Sequence, residues 1–269
     1  MAARLQSATN LLNRLAAPTY GRRRYQSVYR RLHSLSLVGL NYGCGDPAVN
    51  GELAFLDRIT RTWKGRPIVA FDVGASQGMW SSALLERAPS ATIYAFEPMP
   101  SAFARLSAKL DGRVHLNACA LGATVGEAEM FAPPGGDQQL GELASLHVRD
   151  LSSYNLAVET IGSVSVRTLD EFCADNAIAR IDLLKLDTEG NELDVLRGAE
   201  RLLTERAIGA IQFEFGGANI DARVFLRDIA NVLRPTHDVF RLLRDGVDPV
   251  QLNEREEIFT YANFVAFAN

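Results

Sequence analysis

Residues 68–78 read IVAFDVGASQG and residues 93–98 read IYAFEP. An apolar strand runs into a glycine turn and then a helix, and a second strand follows with an acid, Glu97, at its tip. That order is the first half of a nucleotide-binding crevice in a parallel sheet. Gly74 and Gly78 let the backbone approach a ligand where a Cβ would collide. The helix beginning near Gly78 offers free N–H groups at its positive end. Glu97 stands where a carboxylate accepts hydrogen bonds from ribose hydroxyls.

The turn itself separates the nucleotide cofactors. A dinucleotide site asks for G-x-G-x-x-G, but here Asp72 fills the first position and Gly74-Ala75-Ser76-Gln77-Gly78 follows. An acid beside the turn repels a pyrophosphate and welcomes a cation. A phosphate-cradling P-loop needs Gly-Lys-Ser/Thr at its end, and none follows Gly78. S-adenosylmethionine carries a ribose, a sulfonium and an amino acid but no phosphate, and fits best on charge. An ordinary strand-to-helix turn remains the plain alternative for so short a motif.

The remaining chain supports an α/β sandwich. With 269 residues, 47% of them apolar and 22% charged, it can bury the core of one large domain, with or without an extension. A net charge of −4 gives no general case for a nucleic-acid partner. Cys44, Cys119 and Cys173 show no zinc or redox spacing, and the last two lie in apolar patterns that predict buried thiols in a reducing, cytoplasmic setting. No apolar run is long enough to span a membrane.

Charge is uneven along the chain. Residues 1–45 hold seven arginines and no acid. Leu5, Leu11, Leu12 and Leu15 could stripe one face of a short helix, so this leader (taken as residues 1–50) could touch an anionic membrane, resemble a transit peptide, or be a solvated arm packed on the domain or on a twin subunit.

Strands and helices then alternate. Strands are expected at 68–73, 92–96, 114–118, 181–186 and 208–215. Helices are expected at 52–63 (across the sheet edge), 79–87, 101–110 (Ser101 as N-cap, Asp111-Gly112 as its end), 169–176, 192–206 and 222–233. Residues 127–131 and 164–167 suggest a hairpin, 239–267 two more strands, and 133–162 a long loop of the kind that forms lids or binding segments. The alternation predicts a three-layer sandwich on a mostly parallel sheet.

Acids gather at the tips of two strands: Asp187 and Glu189 after 181–186, and Glu214 near the end of 208–215. Like charges so close raise a pKa or call for a cation. Lys185, inside an apolar strand, should pair with one of these acids or meet substrate. Glu192 and Asp194 read as solvated acids of a helix's first turn, and Thr168 as the N-cap before Asp170.

Taken together, FDVGASQG, AFEP, NACALG, VRTLDEF, IDLLKLDTEGNELDVLRGAE, IQFEF and NFVAF resemble the FkbM-type methyltransferases. The resemblance covers residues 40–269 and departs at Ser76-Gln77, where the family often has Asn followed by Ile or Val. It implies a class I S-adenosylmethionine enzyme with a Rossmann-like, mostly parallel seven-stranded sheet whose last strand is antiparallel. It also implies O-methylation of a sugar or natural-product hydroxyl. On that expectation Asp72, Gly74, Ala75 and Gly78 hold the methionine part, Glu97 the ribose, and Asn117 with the following residues the adenine. Asp187 also touches the cofactor.

An alcohol needs a base as its oxygen attacks. Asp187 and Glu189 are the first candidates. His147, in the long loop, is another unless it is a surface histidine. Magnesium or manganese held by Asp187 and Glu214 is an alternative way to acidify the hydroxyl. A nicotinamide oxidoreductase and a non-catalytic methyltransferase-like module are the rival functions. The acceptor is expected to be a small molecule or glycan, and the oligomeric state is left open.

Overall fold

The computed structural model describes residues 10, 13–110, 112–134 and 143–269. They form two compact units, Met1–Tyr42 and Gly43–Asn269. In the first, Leu5, Leu11 and Leu12 of the expected stripe lie outside the described residues, and Leu15 is exposed. Its helix α1 (Gln26–Gly39) has no buried residue. Among the described residues no helix is long and apolar enough to cross a membrane.

The second unit is built on an eight-stranded sheet. Its strands are β1 (Val69–Val73), β2 (Thr92–Phe96), β3 (His115–Asn117), β7 (Ile181–Leu186), β8 (Ile208–Phe215), β9 (His237–Leu242), β10 (Val247–Pro249) and β11 (Ala262–Ala268). Their order is β10-β9-β11-β8-β7-β1-β2-β3. From β3 to β8 all pairs are parallel, and β11 lies antiparallel on β8. This is the class I methyltransferase sheet. The eighth strand is the short edge strand β10, so residues 237–268 hold three strands rather than two. β4 (Ala120–Leu121), β5 (Gly126–Ala132) and β6 (Glu159–Arg167) make a second, small sheet with β5 and β6 antiparallel. The expected hairpin therefore forms, and β6 takes over the last residues of the loop read at 133–162.

The helices follow the apolar spacing. In α2 (Glu52–Thr62), Phe55, Leu56 and Ile59 are buried. They join Leu84 and Leu85 of α3 (Met79–Arg87), Leu106 and Leu110 of α4 (Pro100–Leu110), and Ala70, Ile93, Leu183 and Val265 of the sheet in one core. So α2 lies over a sheet face rather than across its edge. Pro100 opens α4, displacing Ser101 from the cap, because a proline's missing N–H costs nothing at a helix start. Asp111 lies outside the described residues. Thr168 caps α5 (Leu169–Asp175) by accepting from the Glu171 N–H, as expected.

One helix breaks and another starts late where sequence spacing shows neither. The run 192–206 divides into α6 (Glu192–Arg197) and α7 (Glu200–Thr204). At Gly198 a Cβ would overlap the carbonyl oxygen of Gly122, and the Asp170 carboxylate restarts the helix by accepting from the N–H groups of Arg201 (2.7 Å) and Leu202 (3.0 Å). The helix read at 222–233 begins only at α9 (Leu226–Leu233), and a short α8 (Ala218–Asp221) precedes that run. Arg223 adopts φ +57°, which no helix continues, and Asp228 reaches back to the Phe225 N–H at 2.9 Å.

Candidate functional site

β1 lies between β2 and β7, so the turn after β1 faces Glu97 on one side and Asp187 on the other. Strand order advances in opposite directions from this switch point, and the crevice beyond the strand tips is where open α/β sheets bind ligands. A cleft of about 560 Å³ opens there. Its walls include Gly74, Ser76, Glu97, Asp187, Thr188, Glu189 and Asn191. An apolar side is formed by Phe96, Pro98, Cys119, Ala120, Leu121 and Met130. Residues Ala144, Ser145 and Leu146 close it from the connection between β5 and β6.

Of the residues singled out from sequence, the structure brings Gly74, Glu97, Asp187 and Glu189 together in this wall. Glu97 is buried. Its Oε2 accepts from the Ser76 N–H and its Oε1 from the Met99 N–H, both at 2.8 Å. Burial raises its pKa, and the two N–H groups partly counter that.

Asp72, Ala75, Gly78 and Asn117 lie behind the wall. Asp72 is buried and accepts a 2.6 Å hydrogen bond from the Ser81 hydroxyl; burial lifts its pKa to about 6 against the pull of Ser81 and Lys185. The Ala75 N–H donates to the Phe96 carbonyl at 3.0 Å, tying turn to strand. A Cβ on Gly78, at φ +72°, would collide with the side chains of Leu106 and Leu110, so its absence serves helix packing. The Asn117 side chain donates to the carbonyls of Ala95 and His115, while Cys119, Ala120 and Leu121 just after it reach the cleft.

Asp187 is the most strongly organised acid. Its Oδ2 receives the Lys185 ammonium at 2.8 Å, and its side chain stays 37% exposed toward the cleft. Burial works against its charge, but Lys185 and a hydrogen bond from Glu214 more than offset that, and its pKa falls below the usual aspartate range. Glu214 is pushed well above its usual range by burial and by the charges of Asp187 and Glu189. The two pKa values are thus driven apart, Asp187 toward its charged form and Glu214 toward its neutral one. Lys185 is almost fully buried, and the carboxylates of Asp187 and Glu52 keep it charged despite burial.

Glu189 sits at φ +53°, a conformation that strains a glutamate. Ser145 Oγ donates to its carbonyl at 2.7 Å, and Arg149 pairs with its carboxylate at 2.6 Å. His147 is half-buried; its backbone N–H donates to Ser145 Oγ, and its side chain is not part of the cleft wall. Glu192 is buried rather than solvated. It accepts from the N–H groups of Thr188 and Gly190, from the Thr188 hydroxyl and from Asn219, and so staples the turn that follows β7.

Sequence reading missed a group of residues from distant parts of the chain: Asn50, Glu52, Gln212, Tyr261 and Asn263. Their side chains meet behind Lys185. The signal was weak, since polar residues in otherwise apolar strands (Gln212, Asn263) were the only hint.

The cleft suits S-adenosylmethionine in its donor set. Among the described residues, three carboxylates and no lysine or arginine line it, which favours a cationic sulfonium and ammonium over a pyrophosphate. A divalent metal fits less well. Asp187 is occupied by Lys185, Glu214 is pushed toward its neutral form, and among the described residues no group of three or more His, Cys, Asp or Glu side chains could hold an ion.

The model of the methyltransferase FkbM domain matches residues 72–245. The chain belongs to the FkbM methyltransferase family. It is 32% identical over 190 residues to the 2-O-methyltransferase NoeI of Sinorhizobium fredii, covering 67% of this chain and 76% of that one. It is 31% identical over 156 residues to the 31-O-demethyl-FK506 methyltransferase FkbM of Streptomyces tacrolimicus, covering 49% of this chain and 59% of that one. Among solved structures, the plantazolicin methyltransferase BpumL, in complex with a monoazolic desmethylPZN analog and SAH, aligns with a TM-score of 0.46 at 11% identity, over 96% of this chain and 94% of that one. Family membership makes this chain an S-adenosylmethionine-dependent O-methyltransferase, and the oxidoreductase reading falls away.

Proposed function

We propose that the acceptor is a hydroxyl of a sugar, in a glycolipid or polysaccharide, or of a natural-product scaffold, and that Asp187 takes its proton. The observation that carries this reading is the ionised Asp187 carboxylate, fixed by Lys185 and half-open to the cleft. The two relatives named above, one a 2-O-methyltransferase and one a methyltransferase of 31-O-demethyl-FK506, support the acceptor class.

Bound S-adenosylmethionine would supply an electrophilic methyl group whose bonding pair stays with sulfur as the thioether leaves. In this reading Glu97 holds the ribose hydroxyls, and the Gly74–Gly78 turn backed by Asp72 receives the methionine end. Cys119, Ala120 and Leu121 flank the adenine, with Asn117 bracing that segment from behind. The acceptor oxygen forms the new C–O bond, and its proton passes to Asp187. Glu189, already paired with Arg149, shapes the acceptor side. His147 would contribute only if the 143–151 loop carried it inward.

Calorimetry with S-adenosylhomocysteine, with NADH as comparison, tests the cofactor site. Micromolar binding of the first and none of the second is expected. Transfer of labelled methyl to a panel of methyl hexosides tests the acceptor class; a folded, cofactor-binding protein that methylates none of them, but does methylate polyketide alcohols, would move the acceptor to the second class.

A further inference from the structure

Behind Lys185 lies a buried polar cluster whose members come from both ends of the second unit. Strand register places it. Lys185 pairs with Asp72 on β1 and with Gln212 on β8, so these three side chains form a row across one sheet face. Two residues further along each strand, on the same face, stand Gly74, Asp187 and Glu214. Asn263 on β11 pairs with Glu214. The N-terminus of α2 brings Glu52 onto this row.

The Glu52 carboxylate is 90% shielded and receives donors on both oxygens. Oε1 accepts from Asn50 Nδ2 (2.8 Å), Asn263 Nδ2 (2.9 Å) and the Tyr261 hydroxyl (3.4 Å), and Oε2 from Gln212 Nε2 (3.1 Å). Oε2 also stands 4.0 Å from the Lys185 ammonium, whose other contact is Asp187 Oδ2 at 2.8 Å. Gln212 is itself fixed, accepting from the Trp80 indole at 3.3 Å and donating to Asn263. So many donors hold Glu52 in one rotamer, and a fixed carboxylate holds the lysine.

Asn50, Glu52, Tyr261 and Asn263 all fall outside residues 72–245, the segment the family model matches. We propose that Glu52 is a positioning residue for methyl transfer, sharing the Lys185 ammonium with Asp187 so that this carboxylate faces the acceptor in one orientation and keeps its basicity. The flanks of the matched segment thereby complete the catalytic site. The proposal rests on Asp187 being the proton acceptor. The titratable and charged groups that face Lys185 and Asp187 are Asp72 from β1, Glu189 from the turn after β7, Glu214 from β8, Glu52 from α2 and Tyr261 before β11.

A purely structural cluster would leave the Asp187 titration where it is; a relay would move it. The test is a ¹³C-carboxyl NMR titration of the full chain, with Asp187 assigned through Asp187→Asn, in wild type, Glu52→Gln and Lys185→Gln. S-adenosylhomocysteine calorimetry serves as the check that each variant folds. In Glu52→Gln the ammonium is no longer shared, and the Asp187 midpoint should fall by roughly one unit. In Lys185→Gln it should rise by at least that much. Should Glu52→Gln fail to bind S-adenosylhomocysteine, the Lys185→Gln midpoint decides alone, and an unmoved midpoint there overturns the relay. An unmoved midpoint in a folded Glu52→Gln does the same. If Asp187→Asn abolishes methyl transfer while the midpoints ignore both variants, only this inference fails. If Asp187→Asn transfers methyl at the wild-type rate, the base assignment fails and this inference falls with it.

Discussion

Gly74 and Asp187 touch across the switch point: a Cβ on Gly74, at φ +80°, would overlap the carbonyl oxygen of Asp187. The turn that should receive the cofactor and the tip that bears the proposed base are therefore packed backbone on backbone. The Asp187 N–H donates to the Val73 carbonyl at 3.0 Å, locking the same two segments from the other side. The glycine that sequence reading gave to the ligand is needed by the fold.

Gly74→Ala must push these segments apart and adopt a left-handed backbone. A loss of roughly 4 kcal/mol or more is expected, in the range of severe backbone clashes. Urea unfolding with unchanged slope checks it; a variant within about 1 kcal/mol of wild type would show that the contact is slack.

Glu97→Ala leaves the N–H groups of Ser76 and Met99 without their acceptor and removes the proposed ribose partner. Affinity for S-adenosylhomocysteine should fall by about 10- to 100-fold, equal to one or two charge-assisted hydrogen bonds. Calorimetry on folded protein reads this directly.

Asp72 gives a pH signature of stability. Its folded pKa of about 6 lies above the usual 3.8, so the folded state binds the proton more tightly. The stability this provides is full below 3.8 and is lost as pH rises through about 6. Asp72→Asn, which can still accept from Ser81, should therefore gain on wild type across that window, by at most about 3 kcal/mol. Paired denaturation curves at acid and neutral pH measure the difference; parallel curves would show that Asp72 keeps an ordinary pKa.

Methyl transfer should persist undiminished in excess EDTA, because Lys185 already pairs with Asp187 and burial pushes Glu214 toward its neutral form. Activity lost to EDTA and restored by magnesium would reassign the Asp187–Glu214 pair as ligands.

How much of this was readable depends on range. The strands 92–96, 181–186 and 208–215 matched residue for residue, because a buried parallel strand is a short apolar run with abrupt ends. The 192–206 helix did not, because its break answers to Gly122, distant in sequence, and to Asp170, a capping group outside the run. Glu97 and Asp187 were legible as acids at strand tips. Glu52 was not: a glutamate opening a helix looks solvated until residues 212, 261 and 263 are folded around it. Glu192 misled for the same reason, since its partners lie in the preceding turn and at Asn219.

The central claim is that a cleft formed at the Gly74–Asp187 junction binds S-adenosylmethionine and uses Asp187 as the proton acceptor. The most direct measurement is methyl transfer by Asp187→Asn under saturating S-adenosylmethionine, beside its calorimetric affinity for S-adenosylhomocysteine. The account predicts affinity within about threefold of wild type and a rate lower by about 10²- to 10⁴-fold, the usual contribution of a general base. Wild-type turnover in that variant would contradict it.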